Sequence, residues 1–218
     1  MPKVFVPREL MLNQEEAMKW GDVKILSKKD DPNFGLEPDR IVMQIAKHLT
    51  RFNQKDDFLL LDGHIVYNSI AAAVLSSWHD DFKILVWKGA YALRQFKIPK
   101  IDRREAGNEL GPVIWAVNQA HNLEDQFETM IRYVIDRSVN IDRYDPDPIW
   151  KEVLKKCQDF GPNDKIVLCG SALMNIVTVV YLMRRIGEFT IVLKDHKTKR
   201  HVPRSIYLTR DHLDRICK

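Results

Sequence analysis

Short apolar runs bounded by polar and turn residues recur along the chain, and longer apolar stretches separate them. Phe58-Leu-Leu-Leu-Asp62 is one such run; its length and flanks predict a buried strand. Gly63 follows, and then an apolar-rich stretch from Ile65 to Trp78 that is too long for an ordinary strand and reads as a mostly buried helix. Phe82-Lys-Ile-Leu-Val-Trp87 is the next strand. Strand, helix and strand at this spacing form a βαβ crossover with parallel strands.

The same pattern returns 107 residues later. Lys165-Ile-Val-Leu-Cys169, Gly170, Ala172 to Ile186 and Phe189-Thr-Ile-Val-Leu193 repeat it without a gap. Residues 57–87 set over 164–194 share seven identities in 31 pairs, among them Asp57/Asp164, Gly63/Gly170, Asn68/Asn175 and Phe82/Phe189. Such self-similarity marks an internal repeat. Each copy then turns back. Lys88 to Tyr91 leads into Gln95 to Pro99, and Asp195 to Lys199 leads into Arg204 to Leu208, which predicts an antiparallel edge hairpin in each. Pro99 and Pro203 suit an edge, where a missing N–H harms no ladder bond.

Upstream, Gly21 to Leu26 reads as a strand before a helix at about Glu37 to Asn53. Gly111 to Val117 reads as the matching strand, before helices at about Leu123 to Ser138 and Pro148 to Phe160. Lys3 to Pro7 adds a strand to one sheet or the other. The predicted fold is therefore α/β: a tandem repeat of two Rossmann-like β-α-β-α-β-β units with parallel strands and an antiparallel edge hairpin. The expected boundaries are 1–102 for the first unit, 103–110 for a polar linker containing Gly107, and 111–218 for the second.

Composition narrows the class. A hydrophobic share of 45% and a charged share of 29% are those of a globular protein. No apolar run approaches the length of a membrane helix, so no spanning segment is expected. Three scattered cysteines, Cys157, Cys169 and Cys217, fit a reducing, cytoplasmic compartment. The net charge of +4 is mild, but it is concentrated locally. Lys194, Lys197, Lys199, Arg200 and Arg204 stand against the single acid Asp195 within one hairpin, which predicts weak, salt-sensitive binding of polyanions there.

The run Leu59 to Gly63, the segment Ala71 to Val74, the strand Ile84 to Lys88, the hairpin Lys199-Arg-His-Val-Pro203 and the opening Val4-Phe-Val-Pro7 together resemble small uncharacterised proteins of tailed bacteriophages. Members of that group often carry Asp-Pro after the glycine, where this chain has His64-Ile65 and Ser171-Ala172. The resemblance implies a viral origin, with a place in the host cytoplasm or the virion. It brings no catalytic residues.

In parallel α/β sheets, ligands sit beyond the carboxyl ends of the strands. The candidate ligand-binding residues are therefore Asp62, Gly63, His64 and Asn68 in the first copy and Gly170, Ser171 and Asn175 in the second. Neither turn carries the glycine spacing of a P-loop or dinucleotide fingerprint. Ser171 also reads as a helix cap. Asn68 and Asn175 lie in otherwise apolar helices, where an amide needs a backbone or ligand partner. No metal-ligand spacing is present, no cofactor motif stands out, and Cys169 lies at a strand end with no base assignable to it. Two readings follow. One is a non-enzymatic binding or structural protein, with a protein partner or self-association through its hairpin edges. The other is a nucleotide- or nucleic-acid-binding or processing protein that uses the Gly63 and Gly170 turns, with the basic hairpin gripping phosphate.

Overall fold

A computed structural model describes residues 1–9, 13–32, 34, 36–102, 112–119, 123, 126–127, 130–195, 198 and 200–217. The predicted linker, 103–110, and hairpin residues Lys197 and Lys199 lie outside the described residues.

The first unit contains β1 (Lys3–Val6), α1 (Gln14–Met18), β2 (Asp22–Ile25), α2 (Pro38–Leu49), β3 (Phe58–Leu61), α3 (Ile65–Trp78), β4 (Asp81–Trp87) and β5 (Tyr91–Lys97). The second contains β6 (Ile114–Asn118), β7 (Ile131–Ile135), α4 (Pro146–Lys156), β8 (Lys165–Val167), α5 (Ala172–Ile186), β9 (Glu188–Lys194), β10 (His201–Tyr207) and α6 (Arg210–Ile216). The sheet orders are β2-β1-β3-β4-β5 and β7-β6-β8-β9-β10. In each sheet four strands are parallel and the last is an antiparallel edge. The two units thus share one topology.

Register is preserved as well. Leu59 faces Ile84 and Ile166 faces Ile191, each pair displaced by 107 residues. Ile84 faces Arg94 and Ile191 faces Arg204 in the two hairpins. A one-residue slip would turn every apolar side chain to the other face, so matched registers mean matched cores.

Two details differ from the sequence reading. Each sheet has one more parallel strand than the pattern suggested. Lys3–Val6 takes a central place in the first sheet, and its counterpart is Ile114–Asn118, not the run at residues 21–26. In addition, the helix expected over 123–138 contains a strand, β7. Ile131-Arg-Tyr-Val-Ile135 is β-branched and aromatic, which suits a pleated surface better than a helix, and it pairs in parallel with β6.

Two buried carboxylates close the units. Asp57 accepts from Lys3 N and Asn53 N, both at 2.8 Å. Asp164 accepts from Val113 N at 2.8 Å, Gly161 N at 2.9 Å and Trp115 Nε1 at 3.0 Å. Each pins the start of a central strand to the loop before its neighbour. This is why an aspartate opens both copies of the repeat.

The helices of the two units pack on one another, α3 against α5. Both are buried on nearly every side, from Val66 to Ser76 and from Leu173 to Met183. A helix apolar all round needs cover all round. The core accordingly runs unbroken from the inner face of the first sheet, through the helices, to the second sheet. Phe96 of β5 meets Trp150 of α4 with ring centres 5.6 Å apart. The outer face of the first sheet has a smaller cluster of Val4, Val6, Phe58, Leu60 and Leu85 beneath Ala17 of α1.

Replacing Asp164 with alanine orphans three buried donors, each costing about 1–3 kcal/mol when unpaired. Asp164→Ala is expected to lose roughly 3 kcal/mol or more of stability, measured by urea unfolding. Asp164→Asn should lose less, because it keeps an acceptor. An unchanged midpoint for the alanine variant would remove the carboxylate from this structural role.

Candidate functional site

Where the two turns lie relative to each other follows from the helix contacts. At the carboxyl end of α5, Arg184 donates to the His79 carbonyl at 3.0 Å and to Asp80 Oδ1 at 2.9 Å, just past the carboxyl end of α3. Ser77, in the last turn of α3, donates to the Leu208 carbonyl at 3.4 Å, and Leu208 N bonds Gly187 at the end of α5. Two helices packed together with their carboxyl ends in contact run in the same sense. Their amino ends, and with them the Gly63 and Gly170 turns, therefore lie at the same end of the molecule. The contacts are reciprocal elsewhere too. Arg94 of β5 donates to the Tyr144 carbonyl, two residues before α4, and Arg204 of β10 donates to the Leu36 carbonyl, two residues before α2.

Both glycines adopt positive φ, 88° at Gly63 and 83° at Gly170, a region that side chains with a Cβ avoid. After Gly63, His64 caps α3, its Nδ1 accepting from Val66 N at 3.3 Å. After Gly170, Ser171 caps α5, its Oγ accepting from Met174 N at 3.2 Å. Each turn thus delivers the free N–H groups of a long helix to the shared end, where anions are favoured. Asp62 accepts a hydrogen bond from the Tyr91 hydroxyl at 2.9 Å. Burial, together with that bond to Asp62, pushes the Tyr91 hydroxyl well above its ordinary pKa.

The strand order reverses between β1 and β3, and between β6 and β8, and these switch points are where crevices open. Arg8 and Asn118 occupy equivalent places beside them, and the sequence pattern marks neither. Arg8 is only 4% exposed. Its guanidinium donates to the Ser27 and Tyr67 hydroxyls, both at 2.9 Å, and to the Asp31 carbonyl at 3.1 Å. It also lies over the Tyr67 ring. Among the described residues no carboxylate forms an ion pair with it. One buried positive charge therefore sits at the first crevice, held by neutral oxygens.

The second crevice is filled differently. Asn118 Nδ2 reaches the Met174 sulfur at 3.0 Å, and the Asn118 carbonyl accepts from the Cys169 thiol at 3.1 Å. Burial raises the pKa of that thiol, which keeps it protonated and unreactive. Asn175 is fully buried and donates to the carbonyls of Cys169 at 2.9 Å and Ser171 at 2.7 Å, bracing the turn from below. Asn68 is its counterpart and equally buried, yet neither of its amide atoms has a hydrogen-bond partner among the described residues.

Because β9 runs parallel to β8, it also ends at this end of the molecule. Lys194, at the end of β9, and Arg200, just before β10, lie there and are exposed. Arg204 is lower on β10, and its guanidinium is engaged with Leu36. Of the basic residues singled out in the sequence, Lys194 and Arg200 thus share one end with the turns, whereas Arg204 serves the contact between units. Among the described residues no cluster of His, Cys, Asp and Glu is arranged to hold a metal ion, and no helix is long and apolar enough to cross a membrane.

A family model, the phage Pam3 gp32-like protein, matches residues 2–97. Over its first unit the chain resembles this phage family. No curated protein matches in sequence. Among solved structures, the Acinetobacter baumannii Cap4 SAVED/CARF-domain containing receptor with the cyclic trinucleotide 2'3'3'-cAAA is similar, with a TM-score of 0.52 at 10% identity over 92% of this chain and 50% of that one. A further structure of the same receptor gives a TM-score of 0.51 at 11% identity over 92% of this chain and 48% of that one. The chain therefore spans about half the length of the structures it matches, and at this identity what it shares with them is the fold.

A Cβ built on Gly170 would lie 2.8 Å from Asn118 Cβ, whereas one on Gly89, also at positive φ, meets nothing within 4 Å. Gly89→Ala is expected to cost about 1 kcal/mol from backbone strain alone. Gly170→Ala should cost at least twice as much, roughly 2–3 kcal/mol, with the excess reduced by Asn118→Gly. Equal losses in thermal unfolding would show that the second crevice is not closed by Asn118.

Proposed function

We propose that the chain is a binding module that seats one anionic ligand of the nucleotide class at the end where the two strand-helix turns meet. The observation that carries this reading is the shared direction of α3 and α5. It turns two separate glycine turns into the halves of one site. Asp62, Gly63, His64 and Asn68 form the first half, and Gly170, Ser171 and Asn175 the second. The units that supply them run over residues 1–102 and 111–218, joined by 103–110.

Charge supports the assignment. Two helix amino ends and the buried Arg8 all favour negative charge at this end. Lys194 and Arg200 of the basic hairpin add positive charge at the same end. The difference between the halves, a ring at His64 and a hydroxyl at Ser171, suits a ligand whose two ends are not alike. The structural neighbour was seen with cyclic trinucleotides, so cyclic oligonucleotides are the first ligands to try.

Binding to the folded state raises the melting temperature. At ligand about a hundredfold above its dissociation constant the gain is about 2.7 kcal/mol, or roughly 5–10 °C for a chain of this size. A thermal-shift panel of cyclic di- and trinucleotides, linear oligonucleotides and mononucleotides is expected to yield at least one such shift. The double variant His64→Ala/Ser171→Ala should lose the shift while staying folded. If no nucleotide moves the melting temperature, the site is not of this class.

A further inference from the structure

A second surface, along α2, has a chemistry of its own. Along the outside of α2 a groove of about 730 Å³ is lined by Phe34, Arg40, Met43, Lys47 and Arg51, with Gln44 and His48 beside them. Arg40, Lys47 and Arg51 are all exposed. At 100° and 1.5 Å per residue, Arg40 and Lys47 lie on one stripe of α2 about 10 Å apart, and Arg51, just past the end of the helix, lines the same groove. The Arg40 guanidinium lies over the Phe34 ring, 5.4 Å from its centre. Glu37 pairs with Arg40 at 2.8 Å and is the one acid of the described ion pairs on this stripe. Two positive charges are thus left uncompensated beside a flat aromatic–guanidinium stack and the half-exposed Met43.

We infer that this groove binds the backbone of single-stranded nucleic acid. Three cations along one groove match a chain of phosphates. The stacked Arg40 and Phe34 offer a plane for an unstacked base, a mode of recognition proper to single strands. The contact requires no sequence preference, since every base has a π-face. It does not rest on the ligand proposed for the turns: the groove begins near them, at Phe34, whose N–H bonds the Tyr67 hydroxyl, and follows α2 away from them to Arg51.

The test is fluorescence anisotropy of a labelled short oligodeoxythymidine against the full chain. Three phosphate contacts make affinity fall by roughly twentyfold between about 50 and 200 mM salt. Arg40→Ser/Lys47→Ser/Arg51→Ser should weaken binding by at least about tenfold at low salt and flatten the salt dependence. The single variant Lys47→Glu should weaken it in the same direction. Urea unfolding should find both variants as stable as the parent. Three outcomes overturn the inference: no binding even at low salt, binding lost on Lys194→Ser/Arg200→Ser but kept in the α2 triple variant, or poly-glutamate competing as well as unlabelled oligonucleotide. The second would move the contact to the hairpin, and the third would make the partner an acidic protein segment.

Discussion

Everything at the candidate site rests on the packing of α3 against α5 with their amino ends at one end of the molecule. Neither helix has a polar face for solvent, so each needs a neighbour on the side its own sheet does not cover. The other unit supplies it. Of the two senses in which such helices could pack, the contacts at Arg184 and Ser77 select the parallel one. The reciprocal grips of Arg94 and Arg204 hold the outer parts of the units in the same relation. Had the helices run in opposite senses, the same residues would have made two unrelated turns at opposite ends.

The parts of the fold that were legible in the sequence are those where one local pattern has one physical solution. The strand-turn-helix-strand segments at 57–87 and 164–194 are of this kind, because run lengths, glycines and apolar content all point the same way. Lys3–Val6 is harder to place, since three apolar residues after a lysine do not say which sheet they join. Its position is fixed by Asp57, 54 residues away, taking up the Lys3 N–H. The strand Ile131–Ile135 was hidden for a related reason: a short apolar run seen without its partner fits a helix as readily as a strand. Of the candidate site, both glycine turns could be read directly. Arg8 could not, because a lone arginine after a strand looks like any surface cation until the loops fold over it.

The two units differ in how they fill their switch points. In the first, Arg8 and Tyr67 gather the loop that leads from β2 to α2, and Phe34 N bonds the same Tyr67 hydroxyl at 3.3 Å. In the second, Asn118, Met174 and Cys169 close the gap with short-range contacts among softer atoms. A charged, hydrogen-bonded half thus sits opposite a neutral, sulfur-lined one. Asn68 and Asn175 follow the same division: one is bonded twice, the other has no partner among the described residues. Topology has been kept while side-chain chemistry has been redistributed around it.

Joining both halves in one chain has a consequence for occupancy. A pocket assembled from separate subunits exists only while those subunits are associated, so its abundance falls on dilution and its response to ligand depends on protein concentration. Here the local concentration of one half around the other is set by the connecting chain and by contacts such as Arg94 with Tyr144. Both turns are therefore held in one fixed relation in every folded molecule, however dilute the protein.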